Sequence, residues 1–80
     1  MMARMTKASA ELFPRAREAF YRQEKGGVSV YLLMEDGQKK WIQGAEGILI
    51  YPDRFNARRA IKRLRKDLEP VDEREVLRCK

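Results

Sequence analysis

The sequence predicts a single small α+β domain in which a helix packs on one face of a three- or four-stranded, mainly antiparallel sheet. Three observations support this class. The length of 80 residues suits one domain. Two segments have apolar residues at helical spacing, and a stretch of β-branched and aromatic residues with a turn signal lies between them. The predicted order of elements is α-β-β-β-α-(β), with residues 1–8 as a flexible N-terminus and residues 9–80 as the domain.

The first predicted helix covers residues 9–25. Its regular part starts at or just before Pro14, because proline is tolerated in the first turn of a helix and not in its interior. Gly26 and Gly27 are expected to end the helix through a left-handed cap. One face of the helix would carry apolar residues at i, i+3 and i+4 spacing, namely Ala16, Ala19 and Phe20.

The middle of the chain is predicted to form three antiparallel strands. Residues 28–34 are rich in β-branched and aromatic side chains and form the first strand. Asp36 and Gly37 are the dipeptide favoured by a two-residue type I′ hairpin turn, in which both central residues have positive φ. Residues 48–51 form the third strand, which ends before Pro52 because proline cannot donate to a strand ladder.

The hairpin register decides which side chains share a face of the sheet. With the Asp-Gly dipeptide at the tip, Trp41 lies beside Leu32 on one face and Ile42 beside Tyr31 on the other. Both faces are then apolar, and the first helix is expected to cover the face that the second helix leaves open. If it does not, a self-complementary homodimer is the natural way to bury the exposed side chains. These would be Tyr31, Leu33, Ile42 and Leu49, or the opposite set.

The second helix is predicted over residues 54–68. Asp53 is a good N-cap, because its carboxylate can accept from the backbone N–H groups of the first turn and oppose the helix dipole. Phe55 is expected to fold under this first turn. The last segment, residues 71–80, is interpreted as a short strand centred on residues 76–77, with one further helical turn as the alternative. The apolar side of the helix comprises Ala57, Ala60, Ile61, Leu64 and Leu68.

The composition excludes several classes of protein. Cys79 is the only cysteine, so no internal disulfide can form; an unreactive thiol and a cytoplasmic location are expected. Without histidine, neither a zinc site nor a histidine-assisted nucleophile can be built from this chain. No segment has the roughly 20 apolar residues that span a bilayer. We therefore predict no enzymatic activity, no cofactor, no metal site and no membrane partner.

Charge placement on the second helix is the feature that indicates a function. The chain has 18 basic and 12 acidic residues and a net charge of +6. Residues 54–68 hold seven bases and one acid, so 7 minus 1 accounts for the whole net charge. At about 100° per residue these bases form a continuous face opposite the apolar side, where like charges four residues apart repel. The seven are Arg54, Arg58, Arg59, Lys62, Arg63, Arg65 and Lys66.

This uncompensated face predicts a small, non-enzymatic nucleic-acid-binding protein whose second helix contacts phosphates. Five of the seven bases are arginines, whose planar guanidinium matches phosphate oxygens and base edges. Lys39 and Lys40, beside Trp41 in the hairpin, are predicted secondary contacts. The pattern does not separate DNA from RNA. The expected primary contacts are Arg58, Lys62 and Arg65 at the centre, Arg59 and Lys66 beside them, and Arg54 near the helix start.

Two other interpretations of the basic face stay open. The face can be a solvated surface whose charge is balanced by acids elsewhere in the fold. Alternatively, the protein is an interaction or adaptor module whose basic helix meets an acidic partner protein. Binding to a membrane surface is not expected, because the small apolar side of the helix suits packing on a sheet better than insertion into lipid.

The hairpin sequence Asp-Gly-Gln-Lys-Lys-Trp at residues 36–41 is followed by a strand and by a helix in which alanines follow Phe55 at helical spacing. In this order of elements, residues 28–66 resemble the small three-stranded DNA-binding modules at the N-termini of phage-type integrases. The resemblance implies DNA binding through a sheet that enters the major groove while the helix backs it. In this chain the unbalanced charge lies on the helix, which favours presentation of the helix instead.

Overall fold

A computed structural model of the chain describes residues 4–78, without the side chains of residues 76–78. Its elements are α1 (Lys7–Ala10), a 3₁₀ turn (Phe13–Arg15), β1 (Ala16–Glu24), β2 (Gly27–Met34), β3 (Lys39–Trp41), β4 (Gln43–Gly44), β5 (Gly47–Ile48), α2 (Arg54–Leu64), β6 (Val71–Asp72) and α3 (Glu73–Arg78). A mixed sheet has the order β3-β2-β1-β6, and β4 and β5 form a separate small hairpin. The predicted α+β class is confirmed, including a four-stranded, mainly antiparallel sheet with α2 packed on one face.

The segment predicted as the first helix, residues 9–25, is mainly a strand. β1 pairs with β2 in antiparallel fashion along its whole length, and the register shifts at a bulge between Ala16 and Glu18. A bulge adds one residue to a strand, so Ala16 and Ala19 both face the core although they are three residues apart. This i, i+3 spacing is what imitated a helix. The turn after β1 is a hairpin turn in which Gly26 has φ 89°, and it is not a helix cap.

The β2–β3 hairpin has a three-residue loop instead of the predicted two-residue turn. The backbone N–H of Met34 donates to the carbonyl of Gln38 at 2.8 Å, and Gly37 takes the left-handed conformation with φ 89°. In a three-residue hairpin loop, a type I turn is typically followed by a residue in the left-handed conformation, which is the position of Gly37. The extra residue shifts the register by one, so Trp41 lies opposite Tyr31 and the predicted pairing of Trp41 with Leu32 is wrong.

The core lies between the sheet and α2. Ile42 is 1% exposed within this core, and its N–H donates to the carbonyl of Val30 at 3.0 Å, so it does not lie beside Tyr31 as predicted. The predicted third strand, residues 48–51, is reduced to β5 and one isolated bridge from Tyr51 to β2. The largest fully buried side chains are those of Phe13, Leu32, Ile42, Ile61 and Val30.

Helix α2 begins at the predicted residue and ends four residues early. The Asp53 carboxylate accepts from the backbone N–H of Asn56 at 2.8 Å, as expected of an N-cap. The helix ends at Leu64, and Arg65 has an extended backbone with φ −143° and ψ 101°. Phe55 is 69% exposed, so the expectation that it folds under the first turn is wrong.

The end of the chain pairs with the sheet and then forms a helix. β6 runs parallel to β1, and α3 follows it directly. Residues 76–77 therefore lie in a helix, and the preferred terminal strand at that position is wrong. Cys79 lies outside the described residues. None of the helices within residues 4–78 is long and apolar enough to cross a membrane.

The sheet face opposite α2 is closed by a row of aromatic rings and not by the first helix. Tyr31 stands between Phe20 and Trp41, with ring centroids 5.2 and 4.8 Å away, and its hydroxyl donates to the Glu73 carboxylate at 2.8 Å. As a result Tyr31 is only 6% exposed. Leu49 and Ile42 are buried on the α2 side. The exposed apolar set that motivated a homodimer is therefore mostly buried within one chain.

Candidate functional site

The predicted basic face lies on the solvent side of α2 and on the residues that follow it. Ala57 and Ile61 are 0% and 1% exposed and hold the helix on the sheet. The cations therefore project away from the core or along its rim. The five on the helix are Arg54, Arg58, Arg59, Lys62 and Arg63, whereas Arg65 and Lys66 follow the helix end.

Glu69 binds two of the cations that were predicted to centre the contact. Its carboxylate accepts from Nε and Nη2 of Arg58 at 2.8 and 3.0 Å, and Nζ of Lys62 lies 3.2 Å from Oε1. Hydrogen bonds from Arg58 and then Lys62 lower the pKa of Glu69 to about 2. The paired groups remain at the surface, with Arg58 52% and Glu69 57% exposed.

Arg65, the third residue predicted at the centre, is directed toward the protein interior. Its Nη1 donates to the backbone carbonyls of Phe13 at 2.6 Å and of Ala16 at 3.2 Å. Its Nε and Nη2 donate to the carboxylate of Asp67 at 2.9 and 2.8 Å, which lowers the pKa of Asp67 to about 2. Arg65 thus ties the end of α2 to the start of β1.

Arg54 at the helix start shares an acid with the end of the chain. Its Nη1 lies 3.3 Å from the carboxylate of Asp72, which Arg74 also contacts at 3.0 Å. Hydrogen bonds, first from the Arg74 side chain, lower the pKa of Asp72. The Arg54 guanidinium also lies 6.0 Å from the ring centroid of Tyr21. Arg54 is therefore held at one edge of the basic face.

Of the seven cations of the basic face, three are exposed and have no acidic partner within 4.0 Å among residues 4–75, namely Arg59, Arg63 and Lys66. Arg59 and Arg63 are one helical turn apart on the same side of α2, and Lys66 follows the last turn. Arg63 was not among the predicted contacts. In a helix continuing to residue 68, Asp67 would lie four residues after Arg63 and could pair with it. Because the helix ends at Leu64, Asp67 pairs with Arg65 instead.

The predicted secondary contacts do not join this group. Lys39 lies on the sheet face opposite α2, with Nζ 5.4 Å from the ring centroid of Tyr31. Lys40 is exposed on the edge strand β3, and its partner Leu32 belongs to the α2 side. Trp41 packs on Tyr31 and has the Arg22 guanidinium 5.4 Å from its ring centroid, so little of it is free to stack on a base.

Outside the basic face, the described residues include an open groove. They contain no group of three or more acidic, histidine or cysteine side chains that could hold a metal ion. The groove, of about 480 Å³, lies beside the β4–β5 hairpin and is lined by Arg4, Glu46 and mainly small or apolar residues. A single carboxylate and a guanidinium do not make a nucleophile with its base.

Comparison with protein-family models, with curated proteins and with solved structures finds no match for this chain. The resemblance to integrase modules gains no support from these comparisons.

Proposed function

We propose that this protein is a small, non-enzymatic nucleic-acid-binding protein that places the solvent side of α2 against phosphates. One observation carries the proposal. When the pairs with nearby acids are set aside, Arg59 and Arg63 on α2 and Lys66 just after it are exposed and have no acidic partner within 4.0 Å among the described residues.

The pairing pattern explains why a solvated face is the weaker interpretation. The fold neutralises Arg54, Arg58, Lys62 and Arg65 with nearby carboxylates. It leaves Arg59 and Arg63 one helical turn apart, with Lys66 after the helix end, and like charges one turn apart on a helix repel one another. A polyanion removes that repulsion, and two of the three are arginines, which bind phosphate oxygens in a bidentate way. The proposed centre of the contact is therefore Arg59, Arg63 and Lys66.

The other predicted residues take supporting places in this proposal. Arg58 and Lys62 flank the centre and become available when a phosphate competes with Glu69. Arg54 marks the edge of the face, and Lys39 and Lys40 remain secondary contacts on the sheet. Arg65 contributes by holding the end of α2. A cytoplasmic location belongs to the same proposal, because the chain cannot form an internal disulfide.

The test is a titration of labelled nucleic acid followed by fluorescence anisotropy. A duplex and a single strand of equal length are each titrated with the protein at about 50 mM and about 200 mM salt. For duplex, three phosphate contacts predict a log-log salt slope of about −2.7 or steeper, from a slope of −0.9 per contact. No binding of either ligand at the lower salt concentration would refute the proposal. Tight binding of polyglutamate with no binding of nucleic acid would favour an acidic protein partner.

A matched pair of variants locates the contact. Changing Arg59, Arg63 and Lys66 together to glutamine should remove most of the affinity and flatten the salt slope. Changing three other exposed cations to glutamine, Arg4, Lys7 and Lys25, removes the same charge from other elements, and none of them has an acidic partner within 4.0 Å among residues 4–75. This control should bind nearly as well as the original protein. Equal losses in both variants would mean that net charge, and not the α2 face, governs binding.

A further inference from the structure

We infer that Phe55 is a stacking site for an unpaired base, so that the α2 face binds single-stranded nucleic acid in preference to duplex. This inference depends on the proposed function and names its ligand class. Phe55 is the most exposed large apolar side chain among the described residues, with 69% of its surface exposed, and it lies on the helix that carries the basic face.

Folding gives no reason for an aromatic side chain at this position. Phe55 lies about 160° around the helix from Ala57, which is fully buried against the sheet. The ring therefore faces solvent on the same side as the cations. An exposed phenyl ring that contributes nothing to the core is a candidate for contact with a ligand.

The ring of Phe55 and the cations near it suit the base and the phosphate of a nucleotide, respectively. The guanidinium of Arg59 lies 5.9 Å from the ring centroid, one helical turn further along α2. Arg58, three residues after Phe55, also lies on the exposed surface of α2. Proteins that bind single strands combine such cations, which contact phosphates, with aromatic rings on which bases stack. In a duplex the bases are already stacked on one another, so a ring offers no comparable gain.

The aromatic row on the opposite sheet face is a weaker candidate for the same role. Tyr31 is only 6% exposed, and Trp41 has Tyr31 and Arg22 as neighbours. The carboxylates of Glu24 and Glu73 lie within 4.0 Å of the same Arg22 side chain. A phosphate approaching that face would meet these acids, whereas the ring of Phe55 has cations beside it.

The experiment compares single-stranded DNA, single-stranded RNA and duplex DNA of about 20 nucleotides by anisotropy at about 50 mM salt. Stacking is common to both single strands, and a difference between them would report contacts to the 2′-hydroxyl. We expect both single strands to bind more tightly than duplex. Phe55→Ala should weaken single-strand binding by roughly 5- to 140-fold, the range for losing one stacked base, and leave duplex binding within about twofold.

Two further variants separate stacking from other effects of the ring. Phe55→Leu keeps an apolar side chain without an aromatic face and should lose affinity as Phe55→Ala does. Phe55→Trp in a Trp41→Phe background places the only indole on α2, and its fluorescence should be quenched by single strands and not by duplex. Circular dichroism is expected to show that the alanine and leucine variants fold, because residue 55 is exposed.

The outcomes distinguish failure of the inference from failure of the proposed function. Single-strand binding that is unchanged in Phe55→Ala, or retained in Phe55→Leu, overturns base stacking and leaves the nucleic-acid-binding function intact. Tighter binding of duplex than of either single strand has the same meaning. The absence of binding to all three ligands overturns the proposed function and the inference with it.

Discussion

Glu69 pairs with two cations of α2 that the proposed nucleic acid would also contact. Its carboxylate lies 2.8 Å from Nε of Arg58 and 3.2 Å from Nζ of Lys62, and all three side chains are at least partly exposed. A phosphate that approaches this part of the face must displace the carboxylate or share its partners. The Glu69 carboxylate should therefore weaken nucleic-acid binding, because it occupies two cations and repels phosphate.

Removing that acid should tighten binding. In Glu69→Gln we expect at least about threefold higher affinity at low salt and a duplex slope steeper by up to about 1.8, since two more cations become available at 0.9 each. Asp67→Asn is the matched control, because Arg65 stays anchored on the carbonyls of Phe13 and Ala16. The measurement is the anisotropy titration at two salt concentrations. Equal gains in the two variants would contradict the argument.

Substitutions of Arg65 and of Arg63 should have different effects, the first mainly on stability and the second mainly on nucleic-acid binding. Arg65→Ala removes hydrogen bonds from a charged donor to two backbone carbonyls and should lower the free energy of unfolding by about 1–3 kcal/mol. Arg63→Ala, at an exposed position, should change it by less than about 0.5 kcal/mol. Urea denaturation gives both values. Nucleic-acid binding should respond in the opposite order, and a stability loss in Arg63→Ala as large as in Arg65→Ala would refute this division of roles.

At the scale of elements, the sequence predicted those structures whose signals are local. Asp53 marked the start of α2, and the apolar residues of β2 marked one of the two central strands. The errors have local causes as well. The bulge in β1 placed Ala16 and Ala19 on one face at a helical spacing, and one extra loop residue shifted the β2–β3 register. Neither irregularity has a sequence signal strong enough to predict.

The candidate site shows the same limit in its charges. The sequence identified the basic segment, because a count of charges needs no structure. It did not show which cations are already paired, since Glu69 reaches Arg58 from eleven residues away across the end of the helix. The early end of α2 also separates Arg63 from Asp67. Pairing over such distances is set by the tertiary fold.

The β1–β2 hairpin can be tested at its two glycines, because Gly26 has open space around it and Gly27 is in close contact with another segment. Gly26 has φ 89° and open space around it, so Gly26→Ala should cost about 1 kcal/mol for the left-handed conformation. Gly27 has φ 155°, and a methyl group there would collide with the carbonyl of Tyr51 and the side chain of Ile50. Gly27→Ala should therefore cost about 3 kcal/mol or more. Urea denaturation of both variants is the measurement, and similar losses would mean that the Tyr51 carbonyl does not lie against Gly27.

At the scale of the whole molecule, the two sheet faces are closed by different means. α2 and the segments that include Phe13 and Ile42 bury one face as an apolar core. The other face is closed by the Phe20, Tyr31 and Trp41 rings and by the hydrogen bond from Tyr31 to α3. Both closures include titratable groups. Tyr21 and Tyr51 lie in the core and the Glu69 and Asp67 carboxylates pair with cations at the end of α2, whereas Tyr31 and Glu73 lie on the other face. Stability should therefore depend on pH in a way that identifies each part.

We expect the urea midpoint to be flat from about pH 5 to 9 and to fall on both sides. On the acid side, the lowered pKa values of Glu69 and Asp67, about 2 against ordinary values of 4.5 and 3.8, mean that their stabilisation is present above pH 4.5 and is lost as pH falls toward 2. On the alkaline side, burial and the Glu73 hydrogen bond raise the pKa of Tyr31 from 10.0 to about 12. Its stabilisation is complete below pH 10 and is lost as pH rises toward 12.

Two substitutions should each flatten one side of this profile. Glu69→Gln removes an acid whose protonation weakens the fold, so the fall below pH 4.5 should become shallower while the alkaline fall is unchanged. Tyr31→Phe removes the buried hydroxyl, so the fall above pH 10 should become shallower, and the acid side should stay as it was. Because each group titrates only in its own range, a variant that altered both sides equally would show that the two closures are not independent. The measurement is the urea midpoint across the pH range for the original protein, Glu69→Gln and Tyr31→Phe.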